Sequence, residues 1–184
     1  MNTRLVGSEM CIRDSILIIG TVDTKSDEID FMRECIKNLE CNPVLMEVSV
    51  LGDPPIKVDY SKHDVAEHAN MTNKEIISLG NENDAMIASA KGAKSLTLKL
   101  CKEKKIDGAI ALGGTMGTDL ALDVFSELPL GFPKCLLSTV AGSPLIEPQR
   151  LPSDIITVLW AGGLYGLNTI CKSSLSQACG AVVG

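Results

Sequence analysis

Apolar runs of strand length alternate with stretches of helical period along most of this chain, and that alternation limits the fold more than any other feature. "ILIIG" (16–20) has no polar alternation, so both of its faces must be buried, as in the interior of a parallel sheet. In the segment that follows, Ser26 is a plausible N-cap, with Asp27, Glu28 and Asp30 in the first turn where the helix dipole favours them. Ile29, Met32, Ile36 and Leu39 then recur at helical spacing. "CNPVLMEVSV" (41–50) supplies a second strand, which completes a strand–helix–strand unit. Further strands are expected at 106–112, 133–139 and 154–160, and helices at 62–69, 73–79, 84–105, 118–128 and 168–183. The class is α/β, three-layered, with a mostly parallel sheet and helices on both faces.

The chain has 184 residues, which suits one domain with a real core. Aromatic residues are only 3%, too few for the stacking platforms of single-stranded nucleic-acid binding, and the net charge of −6 opposes a phosphate-backbone reader. No apolar run reaches the length of a membrane span. The seven cysteines form no C-x-x-C pair, and a reducing cytoplasm is the plain reading. Residues 1–15, "MNTRLVGSEMCIRDS", share neither period with the rest and have no signal-peptide core. They are read as a translated sequencing artefact or a disordered arm, so the domain is placed at 16–184.

In a parallel sheet, ligands bind outside the carboxyl ends of the strands. Those ends carry "GTVDTK" (20–25), "LGGTMGT" (112–118) and "STVAGS" (138–143), all rich in glycine and hydroxyls. Gly113, Gly114 and Gly117 permit close backbone approach, Thr115 and Thr118 add hydroxyls, and the next helix offers unpaired N–H groups. The spacing is neither G-x-G-x-x-G nor a P-loop, so a phosphate cradle and a simple strand-to-helix corner both remain open. In the first loop, Lys25 is placed to meet a phosphate and Asp23 a Mg²⁺ or a ribose hydroxyl, with a capped turn as the alternative. Ser153 and Asp154 stand at a strand start, where they could cap or bind. "GGLYGLN" (162–168) is either another ligand loop or a flexible strand exit. His63 and His68 lack the i,i+4 spacing of a helical metal pair, and no G-x-S-x-G elbow is present.

"ILIIGTVDTKSDEIDFMRECI", "IDGAIALGGTMGTDLAL", "PKCLLSTVAGS", "SDI" and "GLN" occur in the order of the Tm-one-like ATP-binding domain family, which residues 16–184 resemble. The resemblance implies a Rossmann-like architecture, ATP with Mg²⁺ as cofactors, and a homodimer. It assigns Gly20, Thr21, Asp23, Thr24 and Lys25 to the first loop, and Gly113, Gly114, Thr115, Gly117 and Thr118 to the glycine loop. Ser138, Thr139, Ser153 and Asp154 fall in the later loops. The chain departs from the family pattern at Thr115 and Met116, in "PLIEPQRLP" after the third loop, and in "GGLY" before "GLN". Family members are about twice as long, so this chain reads as a first half. The resemblance implies no reaction. The alternatives are an enzyme using bound ATP on a small molecule, with Asp23 the one nameable base, or a protein-interaction module rigidified by nucleotide. "GGTMGTD" also resembles the turn of iron-type, NAD(P)-dependent alcohol dehydrogenases, but that reading predicts a helical domain with paired metal-binding histidines, which the sequence lacks.

Overall fold

The computed structural model describes residues 14–160 and 166–184; most of the N-terminal arm and "GGLY" (162–165) lie outside the described residues. Five strands form a single, wholly parallel sheet: β1 (Ser15–Gly20), β2 (Asn42–Glu47), β3 (Gly108–Gly113), β4 (Lys134–Ser138) and β5 (Ile156–Leu159). Their order across the sheet is β2-β1-β3-β4-β5. The helices are α1 (Val22–Asn38), α2 (Lys62–His68), α3 (Asn73–Ser78), α4 (Glu82–Lys102), α5 (Thr115–Phe125) and α6 (Thr169–Val183). The architecture is therefore Rossmann-like α/β, as the alternation of periods requires.

The two faces of the sheet bury separate cores. Leu17, Ile19, Ala109, Ala111 and Leu136 face Ala93, Leu96 and Leu100 of α4 and Leu120, Ala121 and Phe125 of α5. Their strand neighbours Ile16, Ile18, Ile110, Cys135 and Leu137 face Ile29, Met32 and Ile36 of α1 and Leu175, Ala178 and Cys179 of α6. Alternate residues of one strand thus go to opposite layers, which explains why β1, β3 and β4 are apolar without a break. Each fully buried Ile or Leu contributes roughly 1.5–3 kcal/mol, so these layers fix the sheet and with it the position of every loop.

Most boundaries move by a few residues from the sequence expectations, and three of the changes have a plain physical reason. β1 opens at Ser15, inside the segment excluded as an arm, because Ser15 pairs with Asn42 and its N–H is bonded to Asp107 at 2.8 Å. α1 begins one turn early, at Val22, and is kinked at Lys25 (φ −127°, ψ 26°), so regular helix resumes at Ser26. α5 begins at Thr115, three residues ahead of the expected start at Thr118, with Gly114 as its N-cap. Thr115, Met116 and Gly117 are accordingly its first turn rather than loop.

Candidate functional site

The chain leaves β1 toward β2 on one side of the sheet and reaches β3 on the other, so the strand order reverses between β1 and β3. Loops leaving such a pair part company and open a crevice at the carboxyl edge. A cavity of ≈ 720 Å³ occupies that edge on the α4–α5 side. Its rim comes from Thr21, Asp23 and Thr24 after β1, from residues 48–51 after β2, and from Met116, Gly117 and Leu120 of α5. Ile77 and the first two turns of α4, including Asn81, Glu82, Met86 and Ser89, close the far wall.

Helix capping divides the helices into two groups. Ser61, Thr72, Asn81 and Asn168 cap α2, α3, α4 and α6 with their own side chains. No side chain of their N-cap residues caps α1 or α5, the helices that follow β1 and β3. At α1 the deficit is met from a distance, because the Val22 N–H donates to Glu47 Oε2 at 2.9 Å. The other Glu47 oxygen accepts from the Ser49 N–H at 2.6 Å. Glu47 is fully buried, and burial pushes its carboxyl above the ordinary range, with the neighbouring Asp23 charge adding to the effect. At α5 the first-turn N–H groups have no such cap, and the positive end of the helix lies beside the cavity.

Asp23 carries the sharpest polar anomaly of the site. Its Oδ1 atom is buried and has no hydrogen-bond partner among the described residues. Gly52 lies directly against the same carboxylate, since a Cβ placed there would come within 2.6 Å of the Asp23 Cβ. An unmet buried carboxylate oxygen is costly unless a cation or donor arrives to use it. Among the described residues no group of three or more His, Cys, Asp or Glu side chains gathers as a metal cage. Mg²⁺ commonly uses one or two carboxylates together with phosphate oxygens, so the single Asp23 matches that manner of binding.

The residues singled out in the sequence separate into four groups. Thr21, Asp23, Thr24 and Gly117 line the cavity, and Thr21 Oγ1 lies 3.0 Å from Thr24 Oγ1. Gly114 and Thr115 stand at the start of α5, with Thr139 beside them: a Cβ on Gly114 would meet only Thr139 Oγ1, at 3.9 Å. Gly20, Gly113, Thr118 and Ser138 serve packing. Added Cβ atoms would strike Ile29 at 2.8 Å from Gly20 and the Gly117 backbone at 2.7 Å from Gly113. The buried Thr118 and Ser138 hydroxyls bond each other at 2.7 Å, and Ser138 Oγ also accepts from the Val140 N–H.

Lys25, Ser153 and Asp154 go elsewhere. The Lys25 ammonium sits 5.4 Å from the centre of the Trp160 ring, and the backbone is kinked at Lys25 itself. The placement of Ser153 and Asp154 in the ligand loops is corrected by strand direction. They precede β5, so in a parallel sheet they fall at the amino edge, opposite the cavity. There Asp154 pairs with the buried Lys134 at 2.5 Å and accepts from the Gly131 N–H at 2.7 Å. Lys134 and that N–H hold its carboxyl below the usual aspartate range.

The sequence reading missed Glu47, the strap 48–52 and the wall supplied by α4. A fully apolar run that ends in an acid, "VLME", was the available signal for Glu47. The small residues Ala85, Ala88, Ser89 and Gly92 along α4 signalled close approach on that face.

The fold is thus a doubly wound parallel domain with its crevice at the carboxyl edge of the β1–β3 switch, the place where open α/β sheets take their ligands. The chain belongs to the family described as "Uncharacterised protein family (UPF0261) N-terminal domain", whose model matches residues 14–184. A UPF0261 protein of Brucella suis biovar 1 is 56% identical over 169 residues, covering 92% of this chain and 40% of that protein. A UPF0261 protein of Clostridium tetani is 30% identical over 92% of this chain and 42% of its own length. The tomato (Solanum lycopersicum) ToMV resistance protein Tm-1(GCR237) is 30% identical over 92% of this chain and 24% of its own length. The chain therefore spans well under half the length of these relatives. A solved structure, MurG of Acinetobacter baumannii, covers 79% of this chain and 45% of its own with 11% identity and a TM-score of 0.39, a likeness that carries no argument about function.

Proposed function

We propose that this domain binds a nucleotide, ATP with Mg²⁺, in the crevice at the β1–β3 switch. The observation that carries the reading is the unmet buried Oδ1 of Asp23 on the cavity that also reaches the uncapped start of α5. A phosphate group suits the α5 N–H groups and dipole, and Asp23 suits the cation that accompanies it. Gly114 leaves open space at that helix start beside Thr115 and Thr139, and Thr21 and Thr24 line the crevice with hydroxyls. The cavity wall of Val50, Ile77, Met86 and Leu120 gives a nucleoside an apolar seat, and a volume of ≈ 720 Å³ falls within the range of small-molecule sites. Among the described residues its lining includes no Lys or Arg, so charge compensation falls to the helix dipole and the metal. No reaction is assigned to the bound nucleotide.

The resemblance to the Tm-one-like family further supports a homodimer, which sedimentation at several concentrations tests. Among the described residues six cysteines are free thiols, two of them only half-buried, which supports residence in the reducing cytoplasm. Among the described residues no helix is long and apolar enough to cross a membrane.

Calorimetric titration of the chain with ATP, with and without Mg²⁺, tests the central reading. Saturable binding that Mg²⁺ strengthens and Asp23→Asn weakens is expected. Binding that is indifferent to both Mg²⁺ and Asp23→Asn, or no binding, refutes it.

A further inference from the structure

Lys62, the first residue of α2, is only 8% exposed, although it carries a full charge. Its ammonium has three N–H donors, and the structure supplies three acceptors. Nζ donates to the Gly52 carbonyl at 2.8 Å, to the Leu51 carbonyl at 3.3 Å, and to Asp53 Oδ1 at 2.8 Å. Burying an ammonium is costly unless every donor is met. Two of these three acceptors are backbone carbonyls of the strap that leaves β2.

The rest of that strap is held in the same manner. The Ser49 N–H is bonded to Glu47, and Ser49 Oγ donates to the Gly52 carbonyl at 3.3 Å. The Val50 carbonyl accepts from Asn73 Nδ2 at 3.2 Å. Gly52 is thereby pressed onto the Asp23 carboxylate so closely that no Cβ fits between them. The unmet Oδ1 of Asp23 thus belongs to a carboxylate whose other flank is fixed by the strap.

We infer that Lys62 is a positioning residue: it clamps the strap 51–53 over Asp23 and so presets that carboxylate for the divalent cation of the bound nucleotide. The inference rests on the nucleotide reading above and adds to it a residue that does not line the cavity. Outer partners that orient a metal ligand are commonly worth 10–100-fold in metal affinity. Lys62→Met keeps the aliphatic stem and removes the three bonds. It is expected to weaken Mn²⁺ uptake in the presence of ATP by roughly 10-fold or more, while ATP binding in EDTA stays at the parent level. Asp53→Asn leaves both carbonyl bonds and is expected to behave as the parent.

The experiment is Mn²⁺ titration of the 184-residue chain with ATP, read by electron paramagnetic resonance, beside calorimetric ATP titration in EDTA. Hydrogen exchange of the 49–53 amides is followed in the same samples. Selective loss of Mn²⁺ affinity with faster exchange in the strap supports the inference. Parent-like Mn²⁺ affinity in a folded Lys62→Met overturns it. Equal weakening with and without metal also overturns it, because a general loss of structure would do that. If Lys62→Met does not fold, Gly52→Ala decides, since it keeps the clamp but displaces Asp23; undiminished Mn²⁺ affinity there overturns the inference. A parent that takes up neither ATP nor Mn²⁺ refutes the nucleotide reading itself, and the inference falls with it.

Discussion

Adjacent glycines at the start of α5 have opposite surroundings, and alanine at each separates packing from binding. At Gly113 a new Cβ would lie 2.7 Å from both the Cα and the carbonyl carbon of Gly117 and 3.0 Å from the Thr118 nitrogen. Carbon atoms pack comfortably at about 3.5–4.0 Å, so the first turn of α5 would have to retreat by most of an ångström. All three obstacles are backbone, and the turn is anchored by the Thr118–Ser138 bond, so it cannot swing aside as a side chain would. Overpacking of this kind costs about 1–3 kcal/mol. At about 2–4 °C per kcal/mol for a chain of this size, Tm falls by about 2–12 °C. At Gly114 the nearest atom is 3.9 Å away and the backbone (φ −77°, ψ −155°) is open to any residue. Alanine there forfeits only the N-cap preference of glycine, about 1 kcal/mol or less, but it puts a methyl group where a phosphate must approach. Thermal unfolding and ATP·Mg²⁺ titration of both variants are the assays. Gly113→Ala should lose stability, and Gly114→Ala should lose affinity by about tenfold, equivalent to 1.4 kcal/mol. A Gly113→Ala protein as stable as the parent refutes the packing argument. A Gly114→Ala protein that binds ATP as the parent does refutes the phosphate approach.

Two further outcomes test the residues that the fold sends away from the crevice. Lys25→Ala removes the cation from the single tryptophan, Trp160, so its fluorescence should change at a stability cost of about 0.5–1 kcal/mol; ATP affinity should stay the same, and a large loss would return Lys25 to the site. Asp154→Ala should lower Tm at neutral pH by stranding the buried Lys134. Because the folded carboxyl titrates below its ordinary value of 3.8, its stabilisation is present above that pH and is lost as pH falls through the lower folded value, so the parent–variant gap in Tm should close in acid.

The sheet was legible because unbroken apolar runs such as "ILIIG" and "GAIAL" admit few structures other than strands covered on both faces. The carboxyl-edge rule then found the crevice, since Thr21, Asp23, Thr24 and Gly117 follow β1 and β3 directly. The start of α5 was misjudged because Gly117 is a poor helix former and Met116 is an apolar residue on an exposed turn, so the periodic pattern begins only at Thr118. Lys25 could not be placed from its neighbours, because its partner Trp160 lies far along the chain. Asp154 was a different failure: the direction of β5 already put it at the amino edge. Glu47 and Lys62 act through acceptors and donors on other elements, and local spacing carries no sign of such pairings.

The distant cap on α1 has a consequence for the order of folding. The turn at residues 21–25 is separated from the regular helix by the kink at Lys25, and its leading N–H is met by Glu47, twenty-five residues further along. A lone turn before a break gains little from helix propagation. Its geometry therefore waits for β2 to dock beside β1, which brings Glu47 into reach. The helix from Ser26 onward can form early and locally, while the turn that carries Asp23 takes shape only when the edge strand closes the sheet. The Asp23 turn is thus completed with the β1–β2 pairing rather than with its own helix, and a chain interrupted before Glu47 would hold the helix without the site.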